Sequence, residues 1–551
     1  MASAESWEKV PLAPPDSIFK LTAAYKADPF PRKVNLGVGA YRDDDSKPWV
    51  LPVVKKASEI LLRDPDLDHE YLPITGLPEF TAAAGRLILG ADAPALTEGR
   101  VVSVQTISGT GANHLGALFL SRYYQYDGGK RVYLSDPTWV NHFAIFRNVG
   151  IEPVTYPYYD AKTIGLDYEG FVEALRDARR NSVFLLHACA HNPTGVDPTE
   201  AQWKAIAEVV LEKGHYAFFD CAYQGFASGD LDRDAWAVRY FASRGVPMLV
   251  CQSFAKNAGL YGERVGALHL ISPTKEAADR VRSQMSVLQR SEISNPPSYG
   301  ARVVSLILND AELFEEWKRD IRTMAGRIID MRRELFRLLT EELKTPGNWE
   351  HIVNQIGMFS FTGINAAQSK GLTEKKHIYL TANGRISMAG LNRGNVRPVL
   401  LFSAAVPVHA LTLCSARVDA RLTPFLVCSH EPPRQGPRRP RLVPDKPSSV
   451  ADPTAPAPRS LASASPAPSV SPVASASPVA SFFSIAISLN PNVHLNSANI
   501  TPEWNSWSRN HTEMLFNKTV AGVPDVRHFK TSPELLQRCQ WWKSIAPVLA
   551  Q

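Results

Sequence analysis

The sequence predicts an α/β fold: a mainly parallel central sheet flanked by helices, followed by a smaller α/β domain. Two observations carry this prediction. From the N-terminus to about residue 395, short apolar runs alternate with amphipathic helical stretches, and several of these runs end on polar residues. In an open parallel sheet the ligand crevice lies outside the carboxyl ends of the strands, so the residues just past each run are the first candidates for function.

In chain order, Val101 to Ile107 reads as a strand and runs into Ser108-Gly-Thr-Gly-Ala112, which opens an apolar helical stretch ending near Tyr124. Small residues there let free amides at a helix N-terminus approach a phosphate, although the motif alone also makes an ordinary strand-to-helix turn. Arg131 to Leu134 is the next run, before Asp136-Pro-Thr-Trp-Val-Asn-His142; Trp139 suits stacking on a flat ring and His142 suits support of a carboxylate, while core packing is the commoner fate of both types. Val183 to His187 precedes His191-Asn-Pro-Thr-Gly195, where Asn192 can donate to a phenolate oxygen or simply form an Asn-Pro turn. A capped helix is predicted over Thr199 to Lys213 from its start, Asp197-Pro-Thr-Glu200.

Tyr216 to Phe219 ends at Asp220-Cys-Ala-Tyr223. An aspartate closing so apolar a strand is costly unless paired, and a protonated pyridine nitrogen or a loop amide would pair with it. Met248 to Cys251 leads to Ser253 and Lys256, and Arg264 follows eight positions on (264 − 256), just before the run Val265 to Leu270. A lysine held in a crevice can lose its proton and form a Schiff base with an aldehyde, and an arginine fork suits a phosphate. From Asp310 to Leu343 a long charged helix is predicted, with Trp317, Ile321, Met324, Ile328 and Met331 at helical spacing, marking a second layer. Each motif has an ordinary alternative by itself. Together, at successive strand ends, they make a phosphate cradle, a ring stack, a ring-oxygen donor, a ring-nitrogen acid and a Schiff-base lysine, which points to pyridoxal 5'-phosphate.

The totals exclude little else. Sixty Lys and Arg against 54 Asp and Glu give a net charge of +6, which is not the signature of a nucleic-acid binder. The 6 cysteines show no metal-ligand spacing, and the first three fall in or beside apolar runs, as small hydrophobic residues do in a reducing compartment. No signal core is expected near the N-terminus, and the least polar stretch, Val399 to Leu413, is short for a membrane span and broken by Pro407. A soluble protein is the expectation.

The stretches Val34-Asn-Leu-Gly-Val-Gly-Ala-Tyr-Arg42, His69-Glu-Tyr-Leu-Pro-Ile74, Asp220 to Gly229 and Ser253 to Arg264 resemble the aspartate aminotransferase family of fold-type I pyridoxal-phosphate enzymes. The resemblance runs from about Val10 to Asn395, and Phe19-Lys-Leu-Thr and Pro31-Arg-Lys-Val are closer to the cytosolic form. It implies a cytoplasmic homodimer that exchanges the amino group between aspartate or glutamate and the matching 2-oxo acids, with an aromatic or kynurenine-type aminotransferase as the alternative activity. It also implies roles. Lys256 carries the cofactor and moves the substrate proton; Asp220, backed by His142, pairs with the ring nitrogen; Asn192 and Tyr223 bond the ring oxygen; Trp139 stacks on the ring. Ser108, Gly109, Thr110, Ser253 and Arg264 hold the phosphate, with Tyr71 reaching in from a second subunit. Arg385 and the backbone at Gly39 bind the substrate α-carboxylate, and Arg290 of the neighbouring subunit binds the distal one. The implied organisation is an N-terminal arm and part of the small domain over residues 1–45, a large cofactor domain over 46–315 and the rest of the small domain over 316–395.

After Asn395 the chain departs from this pattern. The family's closing amphipathic helix is replaced by a Pro/Ala/Ser-rich tract over 396–490, with a basic patch at Pro433 to Leu442 and a short repeat at Ser471 to Ser481. Such a composition buries too little apolar surface to offset ordering, so disorder is expected. Residues 491–551 regain Trp504, Trp507, Trp541 and Trp542 but carry no catalytic motif. The change inside a structural element suggests a splice site read through, and an inactive chain with an interaction tail is the non-enzyme alternative.

Overall fold

Six of the sequence's extended runs become neighbours in one sheet of the computed structural model, which describes residues 7, 9–14, 16–397 and 399. In chain order the strands are β1 (Val34–Asn35), β2 (Val101–Ile107), β3 (Arg131–Asp136), β4 (Glu152–Pro157), β5 (Tyr159–Asp160), β6 (Gly165–Leu166), β7 (Val183–His187), β8 (Tyr216–Cys221), β9 (Met248–Ser253), β10 (Val265–Ile271), β11 (Phe359–Phe361), β12 (Ile378–Tyr379) and β13 (Arg385–Ser387). The central sheet has 7 strands in the order β2-β10-β9-β8-β7-β3-β4. Only β10 runs antiparallel to its neighbours; the other pairings are parallel.

Every residue of β7, β8 and β9 is buried, the near-continuous apolar pattern that a parallel sheet covered on both faces requires. Alternate residues feed two separate apolar layers. Phe184, Leu186, Phe219 and Val250 pack on one face, and Val183, Leu185, Phe218 and Leu249 on the other. β4 was not expected from the sequence. Its Glu-Pro-Val-Thr-Tyr-Pro run is half exposed and lies at the sheet edge, the position that tolerates proline.

The helix Glu200–Lys213 starts as predicted, with Thr199 and Gln202 forming a reciprocal capping box, and ends at Gly214 in the left-handed conformation, φ 66°. The single long helix expected to Leu343 is instead an α-helix, Ala311–Arg337, that widens into a π-turn, Leu338–Glu342, where Leu343 N–H donates to the Leu338 carbonyl. Its predicted stripe, Trp317, Ile321, Met324, Ile328 and Met331, is buried.

Two small ladders join distant parts of the chain beside this helix. β1 pairs in parallel with β12, and β11 pairs antiparallel with β13. The Ser387 N–H donates to the Leu36 carbonyl at 2.7 Å, so the loop carrying Gly39 is held against the strand that begins with Arg385. Cys189, Cys221 and Cys251 are buried and free. No helix among the described residues is long and apolar enough to cross a membrane, and no cluster among them has the ligands for a metal ion. The tracts 396–490 and 491–551, with their basic patch, repeat and tryptophans, lie outside the described residues apart from 396, 397 and 399.

Candidate active site

The parallel strands β2, β3, β7, β8 and β9 all end at one edge of the sheet, and β10, being antiparallel, begins there. That arithmetic of directions puts Arg264, which precedes β10, on the same edge as Lys256, which follows β9. A cavity of about 260 Å³ opens there, lined by Gly39, Ser108, Gly109, Thr110, Trp139, Asn192, Asp220, Tyr223, Ser253, Lys256, Arg264 and Arg385. His142 lies directly behind Asp220, its Nε2 3.0 Å from Oδ2. Tyr71 and Arg290 do not join the cavity lining. Tyr71 is 79% exposed. Arg290 donates to Ser294 Oγ at 2.6 Å and Asn295 Oδ1 at 3.2 Å, and Asn295 Nδ2 donates to the Leu72 carbonyl, so these two outlying residues share one surface patch.

The charges at the cavity floor are held in opposite senses. Burial pushes the Lys256 ammonium below its usual value against the pull of Asp220, and Arg264 adds to the lowering. Its Nζ lies 4.7 Å from the centre of the Tyr223 ring. Burial works against the Asp220 carboxylate, yet the His142 hydrogen bond and the positive groups around it keep its pKa below the usual range.

A line of hydrogen bonds behind Asp220 fixes the tautomers. The Asn192 backbone N–H can only donate, and it points to His187 Nδ1 at 3.3 Å. His187 Nε2–H therefore donates to Thr138 Oγ1 at 3.1 Å, the threonine hydroxyl donates to His142 Nδ1 at 2.9 Å, and His142 Nε2–H donates to the carboxylate. Burial holds His187 down to about 3, so it stays neutral, as this chain requires. Thr138 and His187 were missed in the sequence; a histidine closing the otherwise apolar run Val183 to His187 was the available signal.

At the other end, the helix Ser108–Tyr123 starts in the cavity with no side-chain cap, leaving its first amides free. Ser108, at φ 64°, sets its hydroxyl 3.0 Å from Ser253 Oγ. Gly266 passes so close behind this turn that a Cβ would lie 2.6 Å from the Ser108 carbonyl carbon. Arg385 enters from the side. It donates to the Gly37 carbonyl at 2.8 Å, lies 4.3 Å from the centre of the Phe359 ring, and keeps a buried Nε with no partner. Phe359, Tyr261 and Asn113 also line the cavity and were not singled out by the sequence.

These residues fit pyridoxal phosphate. A depressed lysine, an ionised buried aspartate and an uncapped helix end with two hydroxyls and an arginine match its aldehyde, its ring nitrogen and its phosphate in turn. Fold and site define a fold-type I aminotransferase, and the chain belongs to the family of class I and II aminotransferases, whose model matches residues 31–400. Within that family, the chain is 53% identical over 384 residues to the cytoplasmic aspartate aminotransferase of Schizosaccharomyces pombe, covering 70% of this chain and 94% of that one. The solved aspartate aminotransferase from Saccharomyces cerevisiae cytoplasm superposes with a TM-score of 0.71 at 50% identity, over 73% of this chain and 98% of that one. An aromatic-amino-acid aminotransferase from Burkholderia pseudomallei, covalently bound to pyridoxal phosphate, matches with a TM-score of 0.70 at 41% identity, over 72% and 98%.

Proposed function

We propose that this transaminase moves the amino group between aspartate and 2-oxoglutarate, giving oxaloacetate and glutamate by a ping-pong exchange, as a cytoplasmic homodimer. The observation that carries the reading is Arg385, a partly buried arginine whose enclosed Nε has no partner, facing the same cavity as Lys256 and Asp220. Pyridoxal phosphate, when bound, supplies an aldehyde for the substrate amine and a ring that withdraws electrons from the α-carbon.

The chain's own residues do the rest. Arg385 binds the α-carboxylate as a fork, close to the Gly39 backbone, and turns the α-hydrogen toward Lys256. Lys256, whose ammonium burial disfavours, would take the proton from the substrate α-carbon and deliver it to the cofactor's former aldehyde carbon, C4′. Asp220, ionised and backed by His142, holds a proton on the ring nitrogen, and Asn192 and Tyr223 bond the ring oxygen. Ser108, Gly109, Thr110, Ser253 and Arg264 hold the phosphate, and Trp139 covers the ring. Arg290 and Tyr71, exposed together away from their own cavity, reach into the cavity of a second copy, where Arg290 binds the distal carboxylate. Two arginines for two carboxylates favour dicarboxylic over aromatic substrates. The large and small domains, bounded near residue 315, would close on the substrate between them.

The test is oxaloacetate formation by the purified 551-residue chain loaded with pyridoxal phosphate, given aspartate and 2-oxoglutarate, beside glutamate formation when phenylalanine or tyrosine replaces aspartate. Faster turnover of the aromatic pair would replace the aspartate reading with the aromatic one, and no turnover despite cofactor uptake would reject both.

A further inference from the structure

Arg332 lies on the helix Ala311–Arg337 and is only 3% exposed. Among the described residues no carboxylate pairs with it. Its partners are three backbone carbonyls: Nη1 donates to Ile352 at 3.0 Å, and Nη2 donates to Gly357 at 2.9 Å and to Phe359. Its Nε has no partner, and burial pulls its pKa down to about 9. A buried guanidinium without a counter-ion is expensive, so the position calls for a reason beyond filling space.

The three carbonyls belong to one segment, residues 352–359, and that segment touches the active site twice. At its end, the Phe359 ring lies under the Arg385 guanidinium, and against Gly39, where a Cβ would come within 2.8 Å of Phe359 Cζ. In its middle, the Ile356 N–H donates to the Gly195 carbonyl at 2.7 Å, locking the segment to the loop that presents Asn192. Gly195 has no room for a side chain there, since a Cβ would sit 2.8 Å from the Phe359 carbonyl, the same oxygen that Arg332 holds.

We propose that Arg332 is a positioning residue for substrate binding: its fork holds the Gly357 and Phe359 carbonyls so that the Phe359 ring sets the height and tilt of Arg385. The proposal rests on reading Arg385 as the α-carboxylate group. A planar fork that reaches three carbonyls in fixed directions does this; a lysine ammonium, a single point of charge on a flexible stem, does not. Arg385 stacks on Phe359 as a cation on a ring face, so displacing the ring displaces the guanidinium with it.

The experiment uses the full chain loaded with cofactor and the variants Arg332→Lys, Arg332→Ala, Phe359→Leu and Arg385→Lys. Cofactor uptake is followed by absorbance, KM and kcat are measured for aspartate and 2-oxoglutarate, and the rise in Tm on adding succinate, a dicarboxylate that cannot react, is recorded. Arg332→Lys and Phe359→Leu should each raise both KM values roughly tenfold with kcat within about threefold, because a displaced carboxylate fork weakens binding before it touches the proton transfer. Cofactor uptake should match the parent, the succinate shift should shrink, and added guanidinium should lower the KM of Arg332→Ala again. An unchanged KM in Phe359→Leu overturns the proposal, as does loss of kcat and cofactor uptake in Arg332→Lys at constant KM. If Arg332→Lys does not fold, Phe359→Leu decides in the same terms. An Arg385→Lys variant with normal KM refutes the carboxylate reading itself, whereas a raised KM there beside a normal one in Phe359→Leu refutes only the role of Arg332.

Discussion

Lys256 and Asp220 share one cavity, and burial disfavours both charges. The outcomes differ because only Asp220 has an immediate donor, His142, while Lys256 meets a ring face and a second cation. A lysine whose ammonium is disfavoured, beside a carboxylate held ionised, is the pairing that proton transfer at carbon needs. Lys256→Ala should lower kcat/KM by roughly 10²- to 10⁴-fold, the share of a positioned general base, while the phosphate end still takes up cofactor. Oxaloacetate release and cofactor absorbance measure the two separately. Thr138 tests the line of donors behind Asp220. Thr138→Val keeps the shape and removes the hydroxyl, leaving His142 Nδ1 and His187 Nε2 buried without their partner. A loss of about 1–3 kcal/mol is expected in denaturant unfolding. A variant as stable as the parent would mean that water or another group takes over the bonds.

At the scale of elements, the site depends on how closely β10 passes behind the first turn of the helix Ser108–Tyr123. Gly266→Ala places a carbon 2.6 Å from the Ser108 backbone and 2.7 Å from the Gln252 carbonyl, so the phosphate turn has to move. Cofactor affinity should fall roughly tenfold or more by titration while the circular dichroism of the fold is retained, since the strand's other contacts are unaffected. The N-terminal helix Ser17–Ala27 depends on a different tie. Asp28, just past its end, accepts from the Phe30 N–H, His377 Nδ1 and Tyr379 Oη, and its pKa falls from 3.8 to about 2, chiefly through the Phe30 amide. A carboxyl depressed by folding contributes stability above its unfolded value and loses it as pH falls through the folded one. The Tm gap between the parent and Asp28→Asn should therefore be full at pH 5.5 and narrow by pH 3, both values chosen to bracket the unfolded 3.8. A gap independent of pH would assign the effect of the substitution to something other than the carboxylate.

At the scale of the whole molecule, the proposed roles of Tyr71 and Arg290 require a second copy of the chain, because neither residue lines the cavity of its own. If sites are shared across a two-fold axis, Arg290→Ala and Arg385→Ala should each be nearly inactive alone, yet mixed dimers should contain one intact site. Random pairing makes half of the dimers mixed, each with half of its sites intact, so refolding the two variants together should recover about a quarter of parent activity. No recovery from a mixture shown to form dimers would place both arginines in one subunit's site. How much of this was legible in the sequence follows from chain distance. Ser108, Asn192, Asp220 and Lys256 were readable because each sits just past an apolar run, and strand direction alone sends such residues to one edge; Arg264 precedes β10 and joins them because that strand is antiparallel. The family roles of Arg385 and Arg290 came from resemblance, since neither position has a local pattern. The amino-acid sequence by itself determined the α/β class, the sheet's apolar runs, the capped helix and the strand-end chemistry, because these depend on periodicity and on neighbours in the chain. Only the tertiary structure decided that Thr138 and His187 orient His142, that Phe359 lies beneath Arg385, and that Arg332 holds Phe359. Apart from Thr138 and His142, which are neighbours on one turn, those contacts join residues tens of positions apart, and packing, not local preference, selects them.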